Sequence, residues 1–194
     1  SKIQRIYETG SSDSIAFLNH ELEKVLANAF FAQAGKENDS LLLEMLKLKY
    51  IKIEDKEMDW HAAMKLASED LVRDGYFDVS YVEEAIGNIE EYGNYIIIAK
   101  SIALAHARKE AGVYEDGISL LISREGIKFE DDEVVHLLFF FSQKGDTDYL
   151  NLFKEIIRLG QDADNIRSLI QCGTCTEAYS QIAHILAGGP GDVF

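Results

Sequence analysis

A single proline in 194 residues excludes a proline-rich linker protein and a sandwich punctuated by proline turns. Two cysteines, Cys172 and Cys175, are too few to complete a tetrahedral zinc site by themselves. Their C-x-x-C follows a polar helical run, 164–171, with no strand just before it, so a thioredoxin-like redox motif does not fit. Thr174 followed by Glu177 reads instead as a capping box opening the last helix. Apolar runs such as 134–141 fall far short of the roughly 20 residues that a membrane span needs. Cationic residues are scarce: 19 Lys and Arg stand against 34 Asp and Glu, a net charge of -15. Duplex nucleic acid needs a basic face, so direct nucleic-acid contact is not expected, nor is insertion into a membrane. No signal-like segment opens the sequence, and a cytoplasmic protein is expected. The P-loop, Rossmann, H-E-x-x-H and G-x-S-x-G patterns are all missing, and neither a cofactor nor a metal is expected.

What is present suits a packed core, with 47% apolar and 27% charged residues. Ile15, Leu18, Leu22, Val25, Leu26, Ala29 and Phe30 recur at helical spacing after a Gly10–Asp13 turn. From residue 41 the pattern is mixed α/β. Residues 41–48 read as a short apolar helix or turn, and 50–53 alternate like a strand. Asp59 caps a helix carrying Trp60, Ala63, Met64, Ala67 and Leu71 on one face. Ser80 or Asp78 opens another with Val82, Ala85, Ile86 and Ile89. Strands are expected at 96–99, 102–104, 117–122 and 134–141, the last apolar throughout and central in the sheet. Helices follow at 147–159, 163–171 and 174–186. The expected fold class is α/β, a mixed β-sheet flanked by helices on both faces, with an extra N-terminal helix.

Of five histidines, His20, His61 and His184 fall in helical patterns as surface residues. His136 sits in an apolar strand, where a satisfied core imidazole is the ordinary reading. His106 ends the run Ile102-Ala103-Leu104-Ala105 and is followed by Ala107, Arg108 and Lys109, a small basic island in an acidic chain. A neutral imidazole keeps one nucleophilic lone pair and can take and release a phosphoryl group. Arg108 is placed to hold equatorial phosphoryl oxygens. The small alanines let a partner approach, so His106 is expected to be exposed and His106→Ala to leave the fold intact. An ordinary surface histidine is the competing reading.

The stretch from Asn94 to Arg108, N-Y-I-I-I-A-K-S-I-A-L-A-H-A-R, resembles the active-site signature of enzyme IIA domains of the bacterial phosphoenolpyruvate-dependent sugar phosphotransferase system. It is similar to the ascorbate-type branch of the mannitol/fructose superfamily, which typically reads Y-I-V-I-A-P-G-I-A-L-P-H-A-R. The similarity extends over 41–186, with the helices and strands in the family's order. The resemblance implies a phosphocarrier that accepts a phosphoryl group on His106 from the protein HPr and passes it to a cysteine of an enzyme IIB domain. It also implies that His106 lies at the sheet edge in a shallow depression. Arg108, Lys109 and Tyr149 are the phosphoryl-supporting candidates. The chain departs from the family at Ala105 and Lys100, where proline is usual. It departs again at Asp148-Tyr149-Leu150, where a second histidine is common.

Residues 1–40 precede the point where free-standing ascorbate-type enzyme IIA proteins begin, and the first residue is Ser rather than Met. They read as a linker helix from an upstream domain, with 41–187 as the enzyme IIA-like domain and 188–194 as a flexible tail. Enzyme IIA-like domains also form the C-terminal module of multidomain regulators, so the resemblance implies, as the leading expectation, the regulatory module of a sugar-responsive transcription regulator or antiterminator, its partners including the upstream domains of the same chain. A sugar-transporter component is the alternative. A binding module never phosphorylated on His106 is the third, which an occluded His106 would favour. The oligomeric state is open between monomer and homodimer.

Overall fold

The computed structural model describes residues 40–188. The expected N-terminal helix and all but the first residue of the expected tail lie outside them. The chain order is α1 (Leu41–Met45), β1 (Ile51–Glu54), β2 (Met58–Asp59), α2 (Trp60–Arg73), α3 (Val79–Tyr92), β3 (Ile97–Ala99) and β4 (Ile102–Ala105). Then come β5 (Gly117–Lys128), β6 (Val134–Ser142), α4 (Leu150–Leu159), α5 (Ala163–Ile170) and α6 (Cys175–Leu186). Six strands form one mixed sheet in the order β1-β5-β6-β4-β3, with β2 also paired to β5. β5 and β6 are antiparallel, β4 runs parallel to β6, and β3 closes the edge antiparallel to β4.

Period-two alternation divides β6 and β4 between two cores. Leu137, Phe139 and Phe141, with Ile102 and Leu104, pack under α1, α4, α5 and α6. Leu138 and Phe140, with Ala103 and Ala105, pack under α2 and α3. β6 is apolar at every position but His136 and the terminal Ser142, because both of its faces are covered.

The local chemistry of the helix ends is largely as the sequence suggests. Asp59 accepts from Ala62 N at 3.1 Å at the start of α2. Thr174 Oγ1 accepts from Glu177 N at 3.1 Å at the start of α6, while Glu177 Oε2 reaches back to Gly173 N at 2.6 Å. Both thiols donate to main-chain carbonyls, Cys172 to Ser168 and Cys175 to Ile51. The C-x-x-C is therefore a helix start.

The boundaries of β5 and α4 differ from expectation for identifiable reasons. β5 runs six residues beyond 122, because the bulge between Ile122 and Ile127 lets the strand resume pairing with β6 and meet β2. α4 begins at Leu150 rather than 147, because the Asp148 carboxylate accepts from Leu150 N at 2.9 Å and holds 148–150 in a turn.

Candidate functional site

His106 follows the last residue of β4, and β4 is an inner strand between β6 and β3. The expected position at the sheet edge in a shallow depression is therefore corrected. The side chain is 0% exposed. Part of the cover is tertiary: the Tyr95 and His106 rings meet in a T-shaped contact, with centroids 5.8 Å apart and planes at 90°. Tyr95 arrives from the segment that links α3 to β3, and its hydroxyl oxygen is itself buried.

The imidazole turns back along its own strand, with Nδ1 3.1 Å from the Leu104 carbonyl. A carbonyl only accepts, so Nδ1 carries the proton and Nε2 keeps the lone pair. Nε2 is buried without a hydrogen-bond partner. Burial pushes the His106 pKa down from 6.5 to about 4, and the hydrogen bond to Leu104 opposes the shift only weakly. At neutral pH the ring is uncharged, and Nε2 is a lone-pair nitrogen without a hydrogen-bond partner.

Helix α3 supports the segment after β4 through a polar stripe at helical spacing. Tyr81 Oη donates to Phe141 O at 2.8 Å and accepts from Ala107 N at 3.0 Å. One turn on, Glu84 pairs with Arg108. One turn further, Asn88 lies beside the Tyr95 hydroxyl. Sequence reasoning passed over Tyr81, Glu84, Asn88 and Tyr95. The signal for the first three was the recurrence of polar groups at 81, 84 and 88, on the side of a helix whose buried residues are Tyr81, Val82, Ala85 and Ile89.

The sequence-predicted residues are only partly brought together. Arg108 leaves the histidine directly and stays 45% exposed in its pair with Glu84. Lys109 reaches Asp146 at 3.0 Å on the loop after β6. Tyr149 is buried, donates its hydroxyl to Asp116 and packs on Phe141 within the core beneath α4. That hydroxyl is committed elsewhere, and burial with the Asp116 carboxylate pushes its pKa up. His136 is half-buried, with Nδ1 3.4 Å from Ser101 Oγ. His61 lies at the surface between Asp59 and Glu90. Among the described residues no cluster of His, Cys, Asp or Glu could hold a metal ion. Nor is any described helix long and apolar enough to cross a membrane.

The sheet order, the helical layers on both faces and the histidine closing an inner strand define an enzyme IIA fold of the mannitol type. Two solved structures carry it. One is the mannitol-specific cryptic phosphotransferase enzyme IIA CmtB of Escherichia coli, with TM-score 0.64 and 21% identity over 74% of this chain and 99% of that one. The other is the Escherichia coli complex of mannitol enzyme IIA with phosphorylated enzyme IIB, with TM-score 0.61 and 21% identity over 72% and 99%. The family described as phosphoenolpyruvate-dependent sugar phosphotransferase system, EIIA 2, matches residues 44–185, and the chain belongs to it. Among curated proteins, the ascorbate-specific EIIA component of Escherichia coli K12 is 26% identical over 137 residues, covering 69% of this chain and 89% of its own. The corresponding component of Salmonella paratyphi A is 27% identical over 135 residues, covering 68% and 88%.

Proposed function

We propose that this enzyme IIA domain carries a phosphoryl group on Nε2 of His106, received from phospho-HPr and handed to a cysteine of an enzyme IIB domain. The observation that carries the reading is the Nδ1 bond to the Leu104 carbonyl, which leaves Nε2 with a free lone pair. In the first step that pair forms the Nε2–P bond as the donor's bond to phosphorus breaks. The ring takes up positive charge, which the Leu104 carbonyl stabilises through Nδ1–H. In the second step a thiolate attacks phosphorus, and the pair returns to Nε2. No proton moves at Nε2 in either step. Because His106 is covered, transfer requires the Tyr95 segment to part when a partner docks. Arg108 is drawn from Glu84 toward the phosphoryl oxygens, and Lys109 adds positive potential at the rim.

The ascorbate-specific relatives support a sugar-transporter component. The regulator module, with upstream domains of the same chain as partners, rests on residues 1–40 alone. A limited-proteolysis comparison of the 194-residue chain with residues 41–187 checks the proposed domain division. A second functional reading, a binding module never phosphorylated, is favoured by the full burial of His106.

The test is an imidazole ¹H–¹⁵N spectrum recorded before and after charging with phosphoenolpyruvate, enzyme I and HPr. The expected result is a large displacement of the Nε2 resonance of one histidine while its Nδ1 keeps its proton. Substitution at Nδ1, or no change in any imidazole, overturns the reading.

A further inference from the structure

Among the described residues the buried side-chain polar atoms without a hydrogen-bond partner are Asn88 Nδ2, Asn94 Oδ1, Tyr95 Oη and His106 Nε2. Native folds leave few such atoms, because each forfeits the bonds it had in water. Here they are not scattered: all belong to His106, to the Gly93–Tyr95 segment that covers it, or to the last turns of α3 beside that segment. Asn88 Nδ2 and Tyr95 Oη are donors, and Nε2 is an acceptor. Asn88 adjoins the Tyr95 hydroxyl closely enough to oppose the rise in its pKa, but in no hydrogen bond of ordinary length and angle.

This set has the wrong balance for a resting network and the right one for a guest. A phosphoryl group bonded to Nε2 brings acceptor oxygens to a place where the Tyr95 ring already meets His106 and Asn88 adjoins the Tyr95 hydroxyl. Arg108 and Lys109 reach the phosphoryl group only by leaving their carboxylate partners, and Tyr149 is bonded to Asp116. We propose that the Tyr95 hydroxyl and the Asn88 amide are the buried phosphoryl-binding donors of this domain, held unpaired until His106 is charged. The inference rests on the phosphocarrier reading and names groups within it. The residue that covers the nucleophile would then also bind the phosphoryl group once the segment recloses.

The test is the phosphoryl-transfer equilibrium with HPr, followed as the charged fraction of the whole chain over a range of phospho-HPr to HPr ratios. Wild type, Tyr95→Phe and Asn88→Ala are compared, with melting temperature measured on each uncharged protein. Losing one hydrogen bond to a charged oxygen shifts the equilibrium toward HPr by roughly 10- to 100-fold. Tyr95→Phe should melt no lower than wild type, since the hydroxyl makes no hydrogen bond of ordinary length and angle at rest. Equal charging of all three within about twofold overturns the proposal and leaves His106 phosphorylation standing. A lowered melting temperature for Tyr95→Phe contradicts it too, by revealing a structural bond. Failure of wild type to charge, with phospho-HPr that charges another enzyme IIA, overturns this inference and the phosphocarrier reading together.

Discussion

Replacing His106 by glutamine tests whether the imidazole is stored neutral in the core. Burial holds its pKa near 4, while the unfolded chain keeps 6.5. Between those values the unfolded state binds more protons, so stability falls as pH falls. The whole effect is about 3 kcal/mol, fully lost below pH 4, and about 2 kcal/mol of it disappears between pH 7 and pH 5. Glutamine does not titrate, so the variant lacks this slope. His136, lowered by burial, and Glu155, raised by burial, affect both proteins alike and cancel in the difference. Urea unfolding at both pH values, read from the single buried tryptophan, Trp60, gives the four stabilities needed. Wild type should lose about 2 kcal/mol more than His106→Gln over that interval. Equal losses would place His106 in water and refute its burial. The expectation that His106→Ala is structurally silent is withdrawn with the exposure on which it depended, since the truncation opens a cavity.

Two further substitutions probe the frame around the site. Phe140→Asp places an unpaired charge in a central strand under α2 and α3 and should cost more than about 4 kcal/mol, or prevent folding, in the same urea assay. Tyr81→Phe strips the Phe141 carbonyl and the Ala107 amide of a buried partner. It should cost about 2 kcal/mol, with faster amide exchange at Ala107 as its local signature.

Much of this architecture is legible in local pattern. The run at 134–141 is apolar at every position but one, and only a strand covered on both faces needs that. The Asp59 and Thr174 caps are short-range signals, and the structure uses both. His106 stands out in sequence because a lone imidazole closes an apolar strand beside two cations. Its burial is not legible, because the cover comes from Tyr95, eleven residues earlier and across the β3–β4 turn. The commitment of Tyr149 to Asp116 joins positions 33 apart. The pairing of Arg108 with Glu84 spans 24. Such partnerships depend on how helices settle on the sheet, which residue spacing within one element does not encode. The extension of β5 was hidden for a related reason: Arg124 and Glu125 interrupt its alternation at a bulge.

The central claim is that His106 is a nucleophile covered at rest and reached during transfer. The most direct measurement passes labelled phosphate from phosphoenolpyruvate through enzyme I and HPr onto the chain, with His106→Gln beside it. The account predicts acid-labile label on the wild type and none on the variant. A wild type that takes no label at any HPr concentration contradicts it, and identifies the buried histidine as part of a binding module that keeps the enzyme IIA fold.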